Sequence, residues 1–178
     1  MAEFTISLQK TLNHEGVYSN DHNDLGAETY NGISRANHKD WQGWSVIDRY
    51  KGKANFPFNT INDIDLEKQV ELFYLYEFWL PIKGDLIANQ STADSIFDFA
   101  INAGIKTSVQ LIQSIVGTKA DGIIGEQTLK KLNSLDFGYF QPAFTVGKIS
   151  HYIAIIKKRP ANKKYLYGWI IRALSFHD

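Results

Sequence analysis

The sequence predicts a mainly α fold, with at most a small β element near residues 16–33. Three observations carry this reading. Apolar residues recur at three- and four-residue spacing in one segment after another. No alternating strand–helix pattern and no internal repeat is visible. Turn-forming Asn, Asp and Gly residues gather in the single stretch 16–33, where a short strand or hairpin fits.

The elements follow in order. Phe4, Leu8 and Leu12 predict a first helix that ends near His14, with Gly16 as its breaker. Trp41 to Tyr50 reads as a helix burying Trp44, Val46 and Ile47. Lys51 to Asn59, with Gly52 and Pro57, is a connector. Asp65 begins a strong helix: Leu66, Val70, Phe73 and Glu77 follow one face, and Leu72, Tyr76 and Trp79 widen its apolar stripe. Pro81 stops it. Ser91 or Thr92 caps the next helix, which turns Ile96, Phe97, Phe99 and Ala100 inward and breaks at Gly104. Thr107 to Val116 carries a stripe of Val109, Ile112 and Val116. Asp121-Gly122 makes a turn, and Gly125 opens a helix with Leu129 and Leu132. Phe144 to Ile156 is helical up to Pro160, and Tyr165 to Leu174 closes the chain with Trp169 inside.

Composition narrows the function classes. A chain of 178 residues, 44% apolar and 21% charged, has enough apolar material for one domain or two small lobes. Lys plus Arg equals Asp plus Glu at 19 each, so the charge gives no case for nucleic acid. The absence of cysteine excludes a disulfide scaffold, a thiolate zinc site and a cysteine nucleophile. Residues 1–10 lack the basic-then-apolar order of a signal peptide. The longest apolar run, Leu72 to Tyr76, is flanked by Glu71 and Glu77 and spans no bilayer. No cofactor is expected.

The chemistry concentrates at His14-Glu15-Gly16-Val17-Tyr18 and the loop behind it, with Asp21, Asp24, Gly26 and Thr29. A glutamate at a helix C-terminus faces the negative end of the dipole, and burial beside Val17 and Tyr18 would further disfavour its charge. Such a carboxyl keeps its proton and can donate it to a leaving oxygen. Asp24, or alternatively Asp21, lies in a polar loop that would keep it ionised, so it can activate water or stabilise a positive sugar ring. Thr29 can position that water. Tyr18, Tyr30 and Asn31 can contact sugar rings or pack and cap. A zinc-protease motif fails because position 18 is Tyr, and the other histidines lack ligand spacing. No G-x-S-x-G occurs, so a serine hydrolase has no support.

The run Glu15-Gly16-Val17-Tyr18, Asp21, Asp24-Leu25-Gly26, Thr29 and Gly32-Ile33-Ser34 resembles the signature of glycoside hydrolase family 108. Val17 stands at the second glycine of its E-G-G-Y, and Ala27-Glu28 where Gly-Ala or Gly-Gly is common. Phe97-Asp98, Asn102-Ala103-Gly104, Gln113, Asp121-Gly122-Ile123-Ile124-Gly125, Thr128-Leu129, Gly168-Trp169 and Arg172 resemble the peptidoglycan-binding domain that usually follows. The resemblance implies a two-lobed, lysozyme-like N-acetylmuramidase of the endolysin or secretion-activator type, with peptidoglycan glycan strands as substrate. It implies a catalytic lobe over 1–90 and a peptidoglycan-binding lobe over 91–178, packed as one unit. Glu15 carries over as the catalytic glutamate, and Asn102 and Trp169 join the substrate contacts. The chain is expected to be a monomer that acts on the cell wall by an unassigned export route. A lytic transglycosylase, a catalytically inactive binding module and a regulator of export are the alternatives.

Overall fold

Four-residue spacing of Phe4, Leu8 and Leu12 produces the predicted first helix, α1 (Phe4–Leu12), which ends at Leu12 rather than near His14. Residues 1–13, 16–20 and 28–175 are described by the structure, a computed structural model of the chain. Among them are eight α-helices and one three-stranded antiparallel sheet. The chain divides into two compact units, Leu8–Glu77 and Met1–Ser7 with Phe78–Asp178. The divisions fall inside α1 and inside a wide helical turn at Leu75–Trp79.

In the unit Leu8–Glu77, the sheet runs β1 (Tyr18–Asn20), β2 (Glu28–Tyr30), β3 (Ile33–Ser34). Asn31 and Gly32 join β2 to β3 with φ of 44° and 80°. Two consecutive residues at positive φ make the hairpin turn whose twist suits antiparallel strands, and Asn-Gly is its preferred pair. The turn is pinned by the Tyr74 hydroxyl, which donates to the Asn31 carbonyl at 2.7 Å. Helix α2 (Gly43–Tyr50) buries Trp44, Val46 and Ile47, as expected from its pattern. Helix α3 (Ile64–Tyr74) starts one residue before the predicted Asp65, because Asp63 caps it by accepting the Leu66 N–H at 2.9 Å.

The stripe along α3 departs from the prediction. Leu66, Val70 and Tyr74 are the buried positions, Phe73 is half-buried, and Tyr76 is 62% exposed. After Tyr74 the helix widens into a π turn over Leu75–Trp79. The step from Tyr74 to the next buried residue, Trp79, is therefore five rather than three or four. A regular α period could not have shown this.

In the other unit, Phe4, Trp79 and Phe97 meet edge-on or tilted, with ring centroids 5.5–6.0 Å apart. Full burial of an aromatic such as Phe97 is worth on the order of 2–3 kcal/mol. Helix α4 (Gln90–Ala103) buries Ile96, Phe97, Phe99 and Ala100 and ends at Gly104, whose φ is 86°. Its cap is Asn89, which accepts the Thr92 N–H at 2.8 Å, and not the predicted Ser91 or Thr92. Asn does this as well as Ser, and it stands where the backbone is still extended. Helices α5 (Ile105–Val116) and α6 (Glu126–Ser134) bury the predicted Val109, Ile112, Val116, Leu129 and Leu132.

Helix α7 (Phe137–Lys158) begins seven residues before the predicted Phe144 and carries Pro142 inside. Phe140 and Phe144 are both buried and stack at 5.2 Å across that turn, so packing outweighs the one backbone hydrogen bond a proline removes. Helix α8 (Leu166–Leu174) closes the unit. Trp169 is half-buried there rather than inside, stacked on Tyr152 at 5.1 Å.

Candidate functional site

The sheet is the part of the sequence-predicted site that the structure describes. Glu15, Asp21 and Asp24 lie outside the described residues. Thr29 sits mid-strand in β2, with Ser19 of β1 and Ser34 of β3 as its register partners. Strand side chains alternate between faces, so these three hydroxyl residues form one row across the sheet. Ser19 and Ser34 went unread as site residues because only strand pairing brings them beside Thr29.

The opposite face holds Tyr18, Glu28 and Tyr30. Tyr30 is 3% exposed, and its hydroxyl donates to Thr60 at 3.2 Å. Its placement is that of a core residue. Tyr18 is half-buried, packs edge-on against Phe56 at 4.7 Å, and donates its hydroxyl to Glu28 at 3.2 Å. Asn31 supplies the hairpin turn. Asn102 and Trp169 belong to the other unit. Asn102 is exposed and donates to the Asp98 carbonyl at 3.2 Å, and Trp169 stacks on Tyr152.

Glu28 is the residue that sequence reasoning missed. Its side chain is 13% exposed and lies 3.0 Å from Arg35 and 2.5 Å from Lys51. Asp48 completes the cluster, 2.7 Å from Arg35 and 2.9 Å from Lys51. Burial alone would raise the Glu28 pKa, but hydrogen bonds from Lys51 and Arg35 outweigh it and hold the carboxyl below its ordinary value. The Arg35 bond likewise holds Asp48 well below the carboxylate range. In sequence, Glu28 looked only like a departure from a glycine-rich pattern. The cations that give it meaning are seven and 23 positions away, at Arg35 and Lys51.

A pH dependence follows. A carboxyl whose pKa is depressed on folding stabilises the fold above its unfolded pKa, and that contribution is lost as pH falls through the folded pKa. Glu28→Gln is expected to cost about 1–3 kcal/mol at pH 7, since it removes charge-assisted hydrogen bonds from a mostly buried acceptor. The cost should shrink as pH falls below the ordinary glutamate range, because the unfolded chain takes up the proton first and the folded carboxyl only at its lower pKa. Urea melts at pH 7 and pH 3.5 check this; equal losses at both would refute it.

In the second unit the predicted Asp121-Gly122 turn has a structural explanation. Gln113 is 1% exposed and donates to the Asp121 carboxylate at 2.8 Å and to the Ile123 carbonyl at 3.0 Å. It also accepts the Gly122 N–H at 2.9 Å. Gly122 has φ of 85°, and a Cβ there would come 2.7 Å from Lys106 Cγ, so glycine is required.

Eight helices and a small antiparallel sheet among the described residues place the chain in the mainly α, lysozyme-like class. The solved structure of Brucella abortus SagA shares this fold, with a TM-score of 0.65 and 20% identity over 98% of this chain and 96% of that one. The model of the family Glycosyl hydrolase 108 matches residues 8–104, more than half of the chain, and that of the Predicted Peptidoglycan domain matches residues 107–174. The chain belongs to the glycosyl hydrolase 108 family, a family of muramidase-type peptidoglycan hydrolases. No curated protein matches it.

Proposed function

We propose that this protein hydrolyses the β-1,4 bond between N-acetylmuramic acid and N-acetylglucosamine in peptidoglycan. Glu15 protonates the glycosidic oxygen. Asp24, or Asp21, acts from the other side of the sugar, and Thr29 helps to hold the water. The observation that carries this is the family match over residues 8–104, which spans the whole Glu15–Thr29 motif. The register of Ser19, Thr29 and Ser34 supports it further, since a row of hydroxyls suits a water or a sugar hydroxyl. Tyr18, Asn31, Asn102 and Trp169 are the proposed sugar contacts. Residues 1–90 serve as the catalytic lobe and 91–178 as the lobe that holds the glycan. The protein acts on the cell wall as a monomer; no helix among the described residues is long and apolar enough to cross a membrane.

Digestion of purified sacculi by the full chain, with mass spectrometry of the products, tests the proposal. Fragments ending in reducing N-acetylmuramic acid are expected. Anhydro-muropeptides would replace the hydrolase with a lytic transglycosylase. Binding without any release of fragments would leave a binding module alone.

A further inference from the structure

A groove of about 570 Å³ opens on the unit Leu8–Glu77, between the segment leading into α2 and the exposed side of α3 and the π turn. Trp41, Phe73 and Tyr76 line it, together with Leu72 and the His38 imidazole, which meets Phe73 edge-on at 4.7 Å. Trp41 is half-buried but tightly held. Its indole N–H donates to the Gln69 carbonyl at 3.2 Å, and Trp44 meets it edge-on at 5.1 Å. Tyr30 lies near-parallel to it at 6.4 Å. Gly43 packs so closely against the ring that a Cβ there would collide with it. The indole is thus pre-organised at a solvent-facing groove, and Tyr76, 62% exposed, stands beside it without a role in the core.

The polar lining specifies the ligand class. Asn37, Gln42 and Gln69 add amide groups, which donate and accept hydrogen bonds. Charges of both signs are present, Lys39 against Asp40 and Glu77, so the groove has no single-sign field for an ion. Rigid aromatic faces with a few amides suit a neutral ring that is apolar on its faces and rich in hydroxyls at its edge. That is a pyranose, whose C–H bonds can lie on an aromatic π face.

We propose that this groove is a glycan subsite that takes a pyranose unit of a neutral, N-acetylated β-1,4 strand, with Trp41 as the stacking platform. The inference rests on the glycan-hydrolase reading and adds to it a contact that the family motif does not contain.

The test uses the full chain carrying Glu15→Gln, so that the probe survives, titrated with the tetramer of β-1,4-linked N-acetylglucosamine by calorimetry. The Trp41 indole N–H resonance is followed in parallel. Saturable binding that shifts this resonance is expected, as is a loss of affinity of tenfold or more in Trp41→Ala. Tyr76→Ala removes an exposed ring with no core role and should weaken binding while the melting temperature stays unchanged. Gly43→Ala keeps every aromatic side chain but displaces Trp41, and should weaken binding as well. Absence of binding, or binding that leaves the Trp41 resonance and all three variants unaffected, overturns the subsite. That failure is separable from failure of the hydrolase reading, because sacculus digestion by the parent chain is measured independently.

Discussion

Glu15→Gln is expected to lose 10²- to 10⁴-fold in turnover on purified sacculi, the range attributable to a positioned general acid and equivalent to about 3–5 kcal/mol. The substitution keeps size and hydrogen-bonding reach and removes only the transferable proton. Helix α1 ends at Leu12, ahead of this position, and its apolar stripe of Phe4, Leu8 and Leu12 is untouched by the substitution. Circular dichroism and the melting temperature should therefore match the parent. The companion variants separate the mechanisms. In a hydrolase, Asp24→Asn, or Asp21→Asn if that residue is the second group, should also lose turnover strongly, because one carboxyl cannot do both tasks. In a transglycosylase both Asn variants should keep turnover while Glu15→Gln does not. Wild-type turnover in Glu15→Gln would remove the assignment of the acid.

The parts of the fold that were legible in the sequence are those governed by a regular period. Leu66 and Val70, Phe97 and Ala100, and Val109, Ile112 and Val116 are buried where α spacing puts them. The misses occur where the period breaks or packing overrides propensity. Trp79 is buried as predicted, but the π turn leaves the predicted Tyr76 exposed, and Tyr74, outside the predicted stripe, is buried. The predicted start at Phe144 falls late because α7 begins at Phe137 and carries Pro142 inside, held by Phe140 and Phe144. The Asn31-Gly32 turn was visible as a turn signal, yet its consequence, the row Ser19–Thr29–Ser34, depends on strand register. Register in so short a sheet is fixed by tertiary contacts such as Tyr74 to Asn31, 43 positions apart. Glu28 illustrates the same limit: a charge acquires its role from partners that only the fold assembles.

Arg172→Ala is expected to be the most destabilising of these substitutions. The guanidinium donates from Nε to both Asp98 carboxylate oxygens, at 2.9 and 3.2 Å, its terminal nitrogen lies 2.8 Å from the same carboxylate, and the Asp98 side chain is 3% exposed. Removing the cation takes the charge-assisted bonds of Arg172 away from a buried carboxylate, which costs about 3–5 kcal/mol and lowers the melting temperature by roughly 10 °C in a chain of this length. This gives the closing Gly168-Trp169 and Arg172 motif a physical meaning: it locks α8 to α4. Lys148 makes the same region pH-sensitive. It is 1% exposed, donates to Ser95 at 3.1 Å, and is pushed down to about 8, chiefly by burial, against the pull of Asp98. A base whose pKa falls on folding binds its proton less well in the fold than in the unfolded chain. Its penalty is constant below about pH 8 and is relieved between pH 8 and about 10.5, so stability should rise through that window by on the order of 3 kcal/mol. Lys148→Met keeps the Arg172–Asp98 pair and should be more stable than the parent at pH 7, with the gap closing by pH 10.5. Melting temperatures of parent and variant at half-unit steps from pH 7 to 10.5 isolate this contribution, since every other titrating group is common to both. Parallel curves would mean that Lys148 titrates in the fold as it does in the unfolded chain.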